Sequence, residues 1–144
     1  MRTVSALLLA ASTVSAPAAI ASEAAIRLNY TLHCMGCHKP DGSGHGKFVP
    51  SMRGQLGRFL QAPGGREYLV RVPGTAQSLL SSLETAEMLN WALREFDPQH
   101  LPADFAPYTE DEVARLRKQP LSAPSAERER LLEAIRATSS SIAR

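Results

Sequence analysis

Two cysteines occur in the chain, three positions apart, with a histidine directly behind them: Cys34-Met35-Gly36-Cys37-His38. A cysteine pair in an exported protein is usually a disulfide, but this spacing calls for other chemistry. Each thiol can add across one vinyl group of haem to form a thioether. Two intervening residues let one helical turn present both sulfurs along the same porphyrin edge. The adjacent imidazole can then swing under the ring and ligate iron. Cys-x-x-Cys-His is a specific signal for this attachment. The expected cofactor is haem c with its iron, one per chain and covalently attached. Cys34, Cys37 and His38 are the cofactor-binding residues, and His38 is the metal ligand. A redox-active Cys-x-x-Cys pair would follow a strand in a βαβ unit, and nothing before Cys34 reads as that strand. Structural zinc wants four soft ligands. Two cysteines and four histidines without a second pair at finger spacing do not supply them.

The start of the chain reads as processing information. Arg2 gives a short basic start, Val4 to Ala11 are almost all apolar, and Ala19-Ile20-Ala21 fits a small-x-small cleavage site. Residues 1–21 are therefore expected to be a signal peptide that delivers the chain to the periplasm. The apolar run is too short to span a bilayer comfortably. No later segment has 18 continuous apolar residues, so no transmembrane span is expected in the mature chain. A net charge of +2, from 16 basic and 14 acidic side chains, is too balanced for nucleic-acid binding. The basic charge is nevertheless uneven. Lys39, Lys47, Arg53, Arg58, Arg66 and Arg71 lie in one stretch against Asp41 and Glu67. That stretch is either an ordinary solvated surface or a basic rim facing an acidic partner. Aromatic residues make up only 6% of the chain. A core with so few large rings gains from a large apolar cofactor.

Helical spacing surrounds the motif. Ile26 and Tyr30 lie eight and four residues before Cys34 and share its helix face. Leu83, Ala86, Leu89 or Asn90, and Leu93 recur at the same period downstream, with Met88 and Trp91 beside them. These two helices are expected to cross and close the pocket, Ala86 being small enough for close approach. Between them Asp41 to Gly46 permits tight turns, and Val49-Pro50-Ser51-Met52-Arg53-Gly54 offers a carbonyl that can accept from His38 Nδ1. Gly57-Arg58-Phe59-Leu60 reads as the start of a short helix.

With these residues the sequence resembles class I, mitochondrial-like cytochromes c over Ile26 to Leu93. The likeness rests on the Ile26/Tyr30 helix running into the attachment motif, the Pro50-Ser51-Met52-Arg53-Gly54 loop with Gly57-Arg58, and the Met88-Leu89-Asn90-Trp91 helix. It implies an all-α haem domain, here residues 22–97, in which the Pro50 carbonyl faces the proximal histidine. Tyr30, Met88 and Trp91 would pack where the terminal helices cross. It also implies a carrier of single electrons between larger redox proteins. A branched Ile26 stands where family members often carry glycine. More consequential is the 68–82 segment, where the family usually supplies an axial methionine. It holds neither methionine nor histidine. Met52, Met88, His45, His100, Lys47 and Tyr108 are then candidates for the sixth ligand, beside an open or water-closed iron and a ligand from a partner. The choice sets potential and ligand access.

Residues 98–144 form a proline-punctuated helical extension. Thr109 is placed to cap a helix with Glu112 reaching back to it, and Ser125 to cap a second over residues 126–136. Leu131, Leu132 and Ile135 are its apolar contacts, and the final serine-rich residues are expected to fray. The expected function is periplasmic electron transfer with a larger redox partner, such as a periplasmic dehydrogenase or oxidase. The chain alone is not expected to be an enzyme. The alternatives are a haem protein whose open or displaceable axial site binds a small ligand, and a dedicated cytochrome subunit of an enzyme complex.

Overall fold

The computed structural model describes residues 21–46 and 48–142. Among them the backbone is helical, with one isolated antiparallel bridge between His45 and Val49. The all-α expectation holds. The helices are α1 (Glu23–His33), α2 (Leu56–Phe59), α3 (Gly65–Arg71), α4 (Pro73–Ala76), α5 (Ser82–Phe96), α6 (Glu110–Leu116) and α7 (Pro124–Ile142), with a 3-10 turn over Pro98–His100. Apart from Ala21, the expected signal peptide lies outside the described residues, as does Lys47. No helix among the described residues is long and apolar enough to cross a membrane.

Local chemistry accounts for the helix ends. Ser22 caps α1 by accepting from the Ala25 N–H. Ser81 and Glu84 form a reciprocal capping box at α5, satisfying two backbone donors that a helix start leaves open. Thr109 caps α6 as expected, accepting from the Glu112 N–H at 3.3 Å. Glu112 does not reach back, however. Its carboxylate takes both arms of the Arg66 guanidinium at 2.6 and 2.7 Å, a charge-assisted fork stronger than a bond to one peptide N–H. The last helix also departs from expectation by continuing through the serine-rich stretch to Ile142. Thr138, Ser139 and Ser140 hydroxyls donate to carbonyls four residues back, so these side chains extend the helix surface.

The core forms where α1 and α5 meet and where the C-terminal segment closes over α2, α3 and α5. Helix α1 contributes Tyr30, and α5 contributes Ala86, Met88, Leu89, Ala92, Leu93 and Phe96. Tyr30, Trp91 and Phe96 form an aromatic triangle with centroids 5.2–5.3 Å apart, tilted or edge-on, as ring quadrupoles prefer. The extension supplies Tyr108, Val113, Leu116, Leu131 and Ile135 to the same cluster. Arg66 and Arg71 face this extension. Arg66 also donates to the Ala106 carbonyl and stacks on Tyr108, and Arg71 donates to the Gln119 carbonyl.

Candidate haem site

The attachment motif begins where α1 stops. The Cys34 N–H donates to the Tyr30 carbonyl at 2.9 Å, completing the last helical bond. The chain then keeps winding. The Cys34 carbonyl accepts from both the Cys37 and the His38 N–H, at 3.1 and 2.9 Å. One further wind of backbone thus carries both thiols and the imidazole. Tyr30 Oη donates to the Lys39 carbonyl at 2.7 Å and ties the exit from this wind back to α1. Next, Gly42 adopts φ +77°, and a Cβ there would fall 2.6 Å from the Phe96 ring. Only glycine meets both demands without strain. The Gly42 carbonyl accepts from the Met52 N–H at 2.9 Å, which fixes the 49–54 loop against the motif.

Cys34 is half-buried and Cys37 exposed, and the two are not joined in a disulfide. Burial, followed by the neighbouring Cys37, pushes the Cys34 thiol up to about 11. A redox-active dithiol needs a stabilised thiolate, the opposite direction. Burial, followed by the charge of His45, pushes the His38 imidazole below its usual value, favouring the neutral form that ligates metals. His38 Nδ1 is buried without a hydrogen-bond partner. The bond anticipated from His38 Nδ1 to the Pro50 carbonyl is therefore absent. The 45–54 segment is held instead by the His45–Val49 bridge and by the Met52 N–H donating to the Gly42 carbonyl. An unpartnered buried polar atom is uncommon and points to a group that completes the site. Two unpaired thiols and a neutral imidazole on one wind of chain fit haem c. Cys34, Met35 and Met52 pack against the main apolar cluster and extend that environment to the motif.

The structure separates the candidates for the sixth position. Met88 is buried in the α5 face. Met52 is half-buried on the loop held to Gly42. His45 is exposed, with its backbone in the bridge to Val49. His100 Nδ1 lies 2.5 Å from a carboxylate oxygen of Asp97, which is fully buried. Tyr108 is buried and donates its hydroxyl to the Arg66 carbonyl at 2.8 Å. Arg58, considered for a haem propionate, is exposed.

Three residues important to this region had no clear sequence signature. Asp97 accepts from the Gly57 N–H at 2.8 Å and holds α2 to the end of α5. Asn90 bonds the Tyr108 backbone in both directions, at 2.8 and 2.9 Å. Arg117 donates to three carbonyls of the 76–80 loop. Their partners lie 18 to 41 residues away, beyond the reach of helical periodicity. An open groove of about 610 Å³ is lined by Glu23, Ile26, Leu83, Glu87 and Trp91 among others, not by Cys34, Cys37 or His38.

No protein-family model matches the chain. Cytochrome c-552 of Thermus thermophilus is 30% identical to it over 107 residues, covering 62% of this chain and 82% of that protein. The chain belongs to the cytochrome c family. A second cytochrome c-552 from the same organism is 29% identical over 107 residues, covering 62% of this chain and 72% of its own. A cytochrome c carries electrons on haem c, and the donor set of Cys34, Cys37 and His38 is suited to that cofactor. For a cytochrome c, the aromatic triangle of Tyr30, Trp91 and Phe96 is an apolar group beside the exit of the attachment wind, where Tyr30 holds the Lys39 carbonyl and Phe96 backs Gly42.

Proposed function

We propose that this cytochrome c carries single electrons in the periplasm through one haem per chain. Cys34 and Cys37 hold it by thioethers and His38 ligates its iron. Residues 1–21 serve as the signal peptide. The observation that carries this reading is the double acceptance at the Cys34 carbonyl, which winds two unpaired thiols and a neutral imidazole onto one turn. When bound, the haem iron supplies a one-electron couple. The protein's own residues do the rest. Cys34 and Cys37 would hold such a group by its edge, His38 would offer a nitrogen donor to its iron, and the packed aromatic and aliphatic side chains would keep water from it, which would lower reorganisation. Exposed Lys39 and Arg58 orient an acidic surface on a larger partner, a periplasmic dehydrogenase or oxidase, with contacts weak enough for release. The chain alone performs no substrate chemistry.

The protein matured with haem-attachment machinery should keep its red chromophore through denaturing acid extraction and gain the mass of one haem. Cys34→Ala plus Cys37→Ala should lose both. Colour that washes out of the wild-type chain would end this reading.

A second reading is an iron with an open or displaceable sixth position. It is supported by the 68–82 segment, which lacks methionine and histidine, and by the engagement of His100 with Asp97 and of Tyr108 with Arg66. Spectra of the oxidised and the reduced protein, with and without carbon monoxide, separate the two. A methionine-to-iron charge-transfer band with no gas-induced change favours the closed shuttle, and rapid gas binding favours the open site.

A further inference from the structure

We propose that Tyr30 is a positioning residue for His38. Its carbonyl and its hydroxyl hold the two ends of the attachment wind, and so set the backbone from which the imidazole projects. The consequence for the iron rests on the haem reading above; the staple itself rests on geometry alone.

One residue closes the wind at entry and at exit. The Tyr30 carbonyl accepts from the Cys34 N–H at 2.9 Å and from the Met35 N–H at 3.2 Å. Nine residues on, the Lys39 carbonyl accepts from Tyr30 Oη at 2.7 Å. Both cysteines and His38 lie between these ends. The 39–43 turn is already closed on itself. The Lys39 N–H donates to the Ser43 carbonyl at 2.8 Å, and the Gly42 N–H donates to the Lys39 carbonyl at 2.9 Å. The turn therefore moves as a unit. Among the described residues, Tyr30 is the one residue of α1 that hydrogen-bonds it. His38 stands directly before that turn, so the bond that holds the turn also limits His38.

The staple is firmly seated. Tyr30 is 3% exposed, and its ring lies 5.3 Å from both Trp91 and Phe96. Water competes poorly for a hydroxyl in such surroundings, which strengthens its bond. Phe96 in turn backs Gly42, so ring packing and hydroxyl grip the same turn. His38 depends on this grip. A metal-ligating imidazole is usually aimed by a hydrogen bond from its second ring nitrogen, and His38 Nδ1 makes none. The aim then falls to the backbone on either side of the ring. The His38 N–H is held by the Cys34 carbonyl at 2.9 Å, and the residue after it is held by Tyr30. A phenylalanine at position 30 would keep the ring contacts and lose only the exit bond.

The test uses the full chain in its haem-loaded form, with Tyr30→Phe and the control Arg71→Ala. The control removes a hydrogen bond of the same 2.7 Å length, to the Gln119 carbonyl in the C-terminal segment. Two quantities are read. One is amide hydrogen exchange at Cys37, His38 and Gly42. The other is the haem methyl proton shifts of the oxidised protein, whose spread follows the orientation of an axial imidazole. Loss of the hydroxyl should speed exchange at these amides roughly threefold to tenfold, as expected for one net hydrogen bond restraining a local opening. It should also change the spread of the methyl shifts. Arg71→Ala should leave both at wild-type values. Unchanged exchange in Tyr30→Phe would overturn the staple. Faster exchange with unchanged methyl shifts would overturn its hold on His38. Equal changes in Arg71→Ala would trace both to general stability and overturn the proposal. If Tyr30→Phe does not fold, the wild-type chain decides: its Tyr30 hydroxyl proton should give a slowly exchanging NMR signal, and absence of that signal would overturn the staple. If the wild-type chain takes up no haem, the haem reading fails, and exchange at Cys37, His38 and Gly42 still decides the staple.

Discussion

Asp97 shows how much one side chain can hold. It is completely buried, its Oδ2 accepts from the Gly57 N–H and its Oδ1 meets His100 Nδ1. Gly57 is pressed so close to the 3-10 turn that a Cβ would lie 2.8 Å from the His100 carbonyl carbon. The contact therefore joins α2 to the end of α5 without room for adjustment. Asp97→Ala would leave the Gly57 N–H buried without an acceptor. It should cost about 1–3 kcal/mol in urea unfolding, the usual penalty for an unsatisfied buried donor. Asp97→Asn, which keeps an acceptor oxygen, should cost less. Equal losses in the two variants would assign the effect to the carboxylate charge that meets His100 instead.

Among the elements, α5 depends most on its first turn. Ser81 Oγ accepts from the Glu84 N–H at 3.1 Å, and the Glu84 carboxylate accepts from the Ser81 N–H at 2.8 Å. Ser81→Ala should lower stability by about 0.5–2 kcal/mol, the range for losing an N-cap. These bonds, chiefly those from Ser81, hold the Glu84 carboxyl below its ordinary 4.5. A carboxyl depressed by folding stabilises the native state fully above its unfolded value. That contribution is lost as pH falls through the lower folded value. Thermal midpoints measured down through pH 4 should therefore fall less steeply for Glu84→Gln than for wild type. The box is exposed to solvent, so the difference should be modest. Identical slopes would show that Glu84 is not depressed.

For the whole molecule, the C-terminal segment is part of the core. Tyr108, Val113, Leu116, Leu131 and Ile135 belong to the main apolar cluster, and Arg66 is clamped to Glu112 and two carbonyls of the segment. Removing residues 98–144 to test for partner docking would therefore remove core. A chain ending at Asp97 should lose cooperative unfolding altogether, read by circular dichroism in urea. A chain ending at Ala123, which sheds α7 alone, should lose about 2–5 kcal/mol for each of Leu131 and Ile135, as large buried side chains do when removed. Docking is better probed by exposed Arg58 or Lys39. Arg66 and Arg71, which belong to the same basic run in sequence, turn inward to the segment.

Spacing along the chain determined the attachment motif, the α1 and α5 stripes, the cap at Thr109 and the apolar contacts of α7. Each of these depends on residues within about one or two helical turns, where the 3.6-residue period dictates what meets what. Tertiary structure alone decided where the long-range polar groups went. Glu112 answers Arg66 rather than its own helix start, Asp97 is buried under Gly57, His38 Nδ1 lacks the carbonyl expected of Pro50, and Arg117 reaches back 39 residues to Ser78. A charged side chain has the same local pattern whether it points to water or to a distant carbonyl. Only packing, by removing water from one of those choices, selects between them.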